Sequence, residues 1–235
     1  KACLLKRERY KSMLVIVPSV VGAAQLETVN QLLDDAPFVD GKLSAGTAAR
    51  QVKNNEELDQ KSDLFEKLNA LVLSNLLRHP VFRNAALPHR FAAPFYARYS
   101  KGMGYGDHID DPVMGSPNHY RSDVSTTVFL NSPDSYEGGE LVVRTTYGDK
   151  SVKLPAGHAV VYPSSSLHHV NEVTSGERRV MVTWIQSMVR DAAQRELLFE
   201  LNTVRERLLR KAPGEEETGK IDIVYANLVR MWADV

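Results

Sequence analysis

A single cysteine, Cys3, in 235 residues excludes an internal disulfide and fits a reducing compartment, so a cytoplasmic chain is expected. No apolar stretch approaches the length of a membrane span; residues 14–21 are too few, and Pro18 interrupts them. Neither sign of charge is in excess. With 29 basic and 29 acidic residues there is no electrostatic reason to expect nucleic acid or an anionic membrane as a partner. Residues 1–12 are basic but lack the apolar core of a signal peptide, and they read as a tag remnant or non-native extension ahead of Met13. What remains is an ordinary globular composition, 43% hydrophobic and 25% charged. A chain of this length buries about 70% of its extended surface.

The middle of the chain is built of short β-rich runs separated by turn residues. Phe95-Tyr96-Ala97-Arg98-Tyr99 is followed by three glycines in five residues, Gly102, Gly104 and Gly106. Residues 124–130 read as a strand stopped by Asn131-Ser132-Pro133, and residues 141–147 as another. Gly148-Asp149 is expected to be a two-residue hairpin turn and residues 154–157 a further turn. Strands over 159–162, 167–173 and 178–186 complete the series. Short strands at this pitch indicate a β-sandwich or jelly roll.

Within that region lie His108-Ile109-Asp110, the pair His168-His169, and Arg178-Arg179. A His-x-Asp pair arises roughly 0.4 times by chance in such a composition, so the spacing alone is weak. Its chemical appeal is that residues i and i+2 of a strand share a face and deliver an imidazole and a carboxylate together. A second imidazole would complete a two-histidine, one-carboxylate set with three open positions on an octahedral metal. Strand parity puts Arg178, Val180, Val182, Trp184 and Gln186 on one face and Arg179, Met181, Thr183 and Ile185 on the other. Only one arginine, and only one of His168 and His169, can therefore face the interior, and spacing does not choose. Asp107 and Asp111 have the wrong parity for ligands. Trp184 is expected to wall the same pocket as Arg178.

From Tyr99 through Gln186 the chain resembles the Fe(II)/2-oxoglutarate dioxygenases of the prolyl-4-hydroxylase type, and more narrowly the PKHD-type hydroxylases. The residues that carry the resemblance are the glycine-rich lead-in to His108-Ile109-Asp110, Glu137-Gly138-Gly139-Glu140-Leu141 and Tyr162-Pro163-Ser164-Ser165-Ser166-Leu167-His168. They continue through Val173-Thr174-Ser175-Gly176-Glu177-Arg178 and Thr183-Trp184-Ile185-Gln186-Ser187. The resemblance implies an α+β fold with a double-stranded β-helix (jelly roll) core. It implies His108, Asp110 and His168 as ligands of Fe(II), with His169 pointing away. Arg178 would anchor the far carboxylate of 2-oxoglutarate, because a planar guanidinium matches a carboxylate better than a lysine does. Tyr99 would donate a hydroxyl to that carboxylate. O2 would be the second co-substrate, with L-ascorbate as a candidate further cofactor, and 2-oxoglutarate would leave as succinate and CO2. Asp110 argues against a halogenase. The hydroxylated substrate, peptidyl or siderophore-like, and a link to iron uptake are likewise implied by the family alone. The rival reading is a non-catalytic iron- or 2-oxoglutarate-sensing module of the same fold.

Helices are expected on both sides of this region. Leu26, Val29, Leu32 and Leu33 fit one helical face, and Leu64, Leu68, Leu71, Val72 and Leu76 another, capped by Asp63 and Glu66. Residues 13–187 then form the oxygenase domain and 188–235 a C-terminal helical subdomain. There, Asp191-Ala192-Ala193-Gln194 resembles a capping box, and Leu197, Leu198, Leu201, Val204 and Leu208 form a stripe. These helices are a candidate surface for a homo-oligomer. His79, His89 and His158 read as surface residues; the Pro/Gly-rich segment 112–122, which contains His119, is a candidate substrate lid. Glu137 and Glu140 are expected to solvate a turn.

Overall fold

The computed structural model describes residues 13–235; residues 1–12, read above as an extension, lie outside the described residues. Two antiparallel sheets face each other. The larger runs Val15–Val17, Ala159–Pro163, Val124–Phe129, Val173–Ser187, Phe95–Ser100, Glu56–Leu58, Phe38–Asp40, with Pro88–Phe91 and Tyr136–Gly138 paired to the ends of the long strand. The smaller runs Gly148–Val152, Leu141–Thr145, His168–Val170, Gly104–His108, Lys53–Asn54. This is the jelly-roll core of an α+β fold.

Val124–Phe129 is buried at all six positions because each face has a different cover. Outward, Val128 joins Met181 and Ile185 against Val29, Leu33, Leu68, Val72 and Phe82 of the helices Ala23–Asp34, Leu64–Leu71 and Pro80–Ala86 and the joint between them. Inward, Phe129 packs with Val160, Val180, Leu141, Val143 and Val170 between the sheets. Each such fully buried apolar side chain contributes about 1.5–3 kcal/mol, so this double cover makes the strand the centre of the molecule.

Several local expectations give way to specific contacts. The final strand begins at Val173, five residues before Arg178. The hairpin turn is Thr146-Tyr147, since Thr145 pairs with Gly148. Gly148, at φ 113°, opens the returning strand. Asp63 makes no capping bond; the Ser62 hydroxyl accepts from Leu64 N at 3.3 Å and takes that role. Val72 divides the expected helix into Leu64–Leu71 and Leu73–Arg78. His158 is half-buried rather than exposed.

The C-terminal helices Ala192–Lys211 and Glu216–Trp232 dock through Leu198, Val189 and Leu87. Asp191 caps the first by accepting from Gln194 N at 2.8 Å. Of the expected stripe, Leu198 is buried whereas Leu197 and Val204 face solvent. The helix is held instead by Arg195, a buried guanidinium that donates to the carbonyls of Val189, Arg190 and Asp123 at 2.8, 2.7 and 3.1 Å.

Candidate active site

His108 ends one strand of the smaller sheet and His168 begins its neighbour, directly opposite in register. Their rings lie 4.2 Å apart between centroids. The Nδ1 of each faces a backbone carbonyl two residues upstream, Gly106 O at 2.8 Å and Ser166 O at 2.9 Å. A carbonyl only accepts, so Nδ1 carries the proton in both rings. Each Nε2 lone pair is left for a ligand. Burial first, and the neighbouring His168 second, push the His108 pKa down to about 4, which keeps that imidazole neutral. Tyr105 stacks on His108 at 3.6 Å with planes 13° apart, and Tyr162 meets His168 edge-on at 5.2 Å.

Asp110 does not share a strand with His108. The strand Gly104–His108 stops at the histidine, and Asp110 lies in the irregular segment beyond it. Its Oδ1 still comes within 3.8 Å of His168 Nε2. One ligand atom each from His108, Asp110 and His168 lies within 4.8 Å of the others, and no other such group occurs among the described residues. Two imidazole nitrogens and one carboxylate oxygen suit a ferrous ion with open positions for other ligands.

Arg178 is 1% exposed on the inner face of the long strand. Its guanidinium lies 4.9 Å from the Tyr99 ring centre and 5.5 Å from that of Phe129, and its Nε and Nη1 have no hydrogen-bond partner among the described residues. A buried guanidinium with bonding capacity left over can take up an anion brought from outside. The Glu137-Gly138-Gly139-Glu140 segment makes room for it. Gly138 and Gly139 both have positive φ, and a Cβ on Gly139 would lie 3.1 Å from Arg178 Cδ. Tyr99 pairs across from Arg178. Burial raises its pKa and the Arg178 charge opposes the shift, so the hydroxyl stays protonated and able to donate. Arg178, Tyr99, Trp184 and the His108-Asp110-His168 group all line one cavity of about 530 Å³.

The family profile described as the 2OG-Fe(II) oxygenase superfamily matches residues 94–186, and that of the PKHD-type hydroxylase C-terminal domain matches 192–234. A PKHD-type hydroxylase of Thioalkalivibrio sulfidiphilus is 56% identical over 224 residues, which is 95% of this chain and all of the relative. This chain belongs to the PKHD-type hydroxylases. Their superfamily is that of the oxygenases using Fe(II), 2-oxoglutarate and O2. Among solved structures, a Pseudomonas putida prolyl-4-hydroxylase has the same fold at TM-score 0.52 and 16% identity, covering 75% of this chain and 94% of the other. A prolyl hydroxylase of Trichoplax adhaerens, solved with a hypoxia inducible factor peptide fragment, gives 0.55 and 16%, covering 75% and 84%.

The second member of each doublet is engaged elsewhere. His169 meets Asp107 Oδ1 through Nδ1 at 2.9 Å and Asn171 Oδ1 through Nε2 at 3.1 Å, on the outer face of the smaller sheet. Arg144 holds the same Asp107 and lowers its pKa. Arg179 donates to Glu177 at 2.5 Å and Asp34 at 2.7 Å on the helix side. Segment 112–122 forms a small hairpin, Val113–Met114 with Tyr120–Arg121, and its Val113, Met114 and Tyr120 line the cavity.

Sequence reasoning missed a further part of the cavity lining. Lys53 and Glu57, each less than a tenth exposed, form an ion pair at 2.5 Å inside the cavity, with Lys53 also donating to Ser44 Oγ at 2.9 Å. The strands that carry them, Lys53–Asn54 and Glu56–Leu58, are two and three residues long and leave no periodic pattern. Neither Ser125 nor Ser164 was assigned a role from sequence; they are two buried hydroxyls, the first bonded to Asp110 and the second to Ser125.

Proposed function

We propose that this hydroxylase binds Fe(II) through His108, Asp110 and His168 and holds 2-oxoglutarate between that ion and Arg178. The substrate is a peptidyl segment or a siderophore-like small molecule. The observation that carries this reading is one cavity with three convergent metal donors and, within it, a buried guanidinium whose Nε and Nη1 have no hydrogen-bond partner among the described residues. Bound iron supplies the oxygen activation that couples decarboxylation of 2-oxoglutarate, to succinate and CO2, with hydroxylation of the substrate.

The protein's own part is binding, orientation and exclusion of water. Arg178 neutralises the distal carboxylate of the keto acid with a fork that cannot lose its proton. The Tyr99 hydroxyl, kept protonated by burial, donates to the same carboxylate. Trp184, packed edge-on against Phe95 at 5.7 Å, closes the side of the cavity and keeps water from the reacting centre. The substrate enters beside segment 44–53 and the hairpin 113–121, both of which contribute to the cavity lining. The hairpin serves as a lid over it. L-Ascorbate would serve as the reductant for a bound iron.

With Fe(II), 2-oxoglutarate and O2 supplied, the protein is expected to form succinate in an oxygen-dependent reaction, and Asp110→Ala to suppress it. Binding of 2-oxoglutarate with no turnover in the unaltered protein would favour a sensing role instead. The substrate is to be sought by metabolite profiling of a deletion strain with and without iron starvation. A substrate tied to iron uptake should accumulate only when iron is scarce.

A further inference from the structure

Because Asp110 stands beyond the end of its strand, strand parity does not set the direction of its carboxylate. Something else must. Asp110 N donates to Ser164 O at 3.4 Å, which fixes the backbone. The side chain is fixed by a chain of two hydroxyls: Ser125 Oγ donates to Asp110 Oδ2, and Ser125 Oγ lies 2.7 Å from Ser164 Oγ. An ionised carboxylate only accepts, so the Ser125 proton is committed to Asp110. Ser164 must then be the donor to Ser125. Ser125 and Ser164 are 0% and 1% exposed, so water does not compete for these bonds. Ser125 sits on the central strand, paired to Trp184 on one side and Tyr162 on the other. Its backbone is therefore held by pairing on both sides.

From this geometry we infer that Ser125, backed by Ser164, is a positioning residue for the metal carboxylate. It occupies Oδ2, leaving Oδ1 as the single oxygen turned toward His168 Nε2. A carboxylate free to rotate about its last bond would present either oxygen, or both, and the ligand atoms would no longer converge. The inference rests on the proposed metal site, and the test separates the two.

Binding of Mn(II) and of Co(II) to the full chain, the latter followed by its visible absorption, is to be measured for the unaltered protein and for Asp110→Ala, Ser125→Ala and Ser164→Ala. Outer-shell partners of a metal ligand typically contribute about 10–100-fold in affinity. Ser125→Ala is expected to weaken both ions by roughly that factor and to change the shape of the Co(II) spectrum at saturation, which loss of general stability alone would not do. Ser164→Ala, acting through Ser125, is expected to weaken binding less and to change the spectrum in the same direction. If Asp110→Ala binds as the unaltered protein does, the metal site itself is wrong. If Asp110→Ala loses the metal while both serine variants keep the original affinity and spectrum, the positioning role is overturned. Should Ser125→Ala fail to fold, Ser164→Ala decides by its spectrum.

Discussion

Neighbouring residues on the two faces of the same strands have opposite fates. Arg178 and Arg179 are consecutive and chemically identical, yet one is buried with idle donors and the other is half-buried with an acidic partner on each side. His168 and His169 repeat the pattern. The inner ring keeps a free Nε2, while both nitrogens of the outer ring are taken by Asp107 and Asn171. Residue type therefore does not distinguish the proposed ligand-binding side chains from their neighbours. What distinguishes them is burial together with unspent bonding capacity, a combination that weakens the free protein and is tolerated where a ligand completes it.

The histidine doublet offers the largest effect with which to break this comparison. His168→Ala removes one of three convergent donors and is expected to abolish Mn(II) and Co(II) binding at any practical concentration. His169→Ala removes a surface bond to Asp107 and should leave affinity within about twofold, since surface contacts of this kind carry little energy. Calorimetric titration of the two variants side by side is decisive. Loss of binding in His169→Ala with retention in His168→Ala would invert the assignment of faces.

Strand periodicity made much of this legible in advance. Alternation along Val173–Ser187 correctly separates Arg178, Val180 and Trp184 from Arg179, Met181 and Ile185, because a paired strand has a period of exactly two and each face has its own cover. The choice between His168 and His169 came from family motifs; in the structure it is the register His168↔His108 that turns the first ring inward. Where local chemistry competes with pattern, the sequence was less informative. Asp110 looked like a strand residue, but the strand ends at His108 and a serine from another strand orients the carboxylate. Gly148-Asp149 looked like the turn, but Thr146-Tyr147 make it and Gly148 absorbs the backbone angle afterwards. Lys53 and Glu57, only four residues apart, gave no signal, since the strands that carry them are too short to show a periodic pattern.

The arginines give the smaller but more discriminating effects. Truncating one partner of a buried charge pair costs about 2–5 kcal/mol of binding, so Arg178→Met is expected to raise the 2-oxoglutarate Kd roughly 30-fold or more. In the free protein the same change should increase thermal stability. It replaces a buried cation, without partners at Nε and Nη1 among the described residues, with an apolar side chain that packs on Tyr99 and Phe129. Arg179→Met should do neither. It gives up partly exposed ion pairs with Glu177 and Asp34, and is expected to lower stability by about 1 kcal/mol or less with no change in co-substrate affinity. The two variants are compared by thermal unfolding with and without 2-oxoglutarate and Mn(II). A stabilising Arg178→Met that no longer responds to the keto acid identifies the inner arginine as the anchor. An Arg178→Met that unfolds early, like an ordinary core cavity, would mean that the buried cation already had its partners and that the anion binds elsewhere.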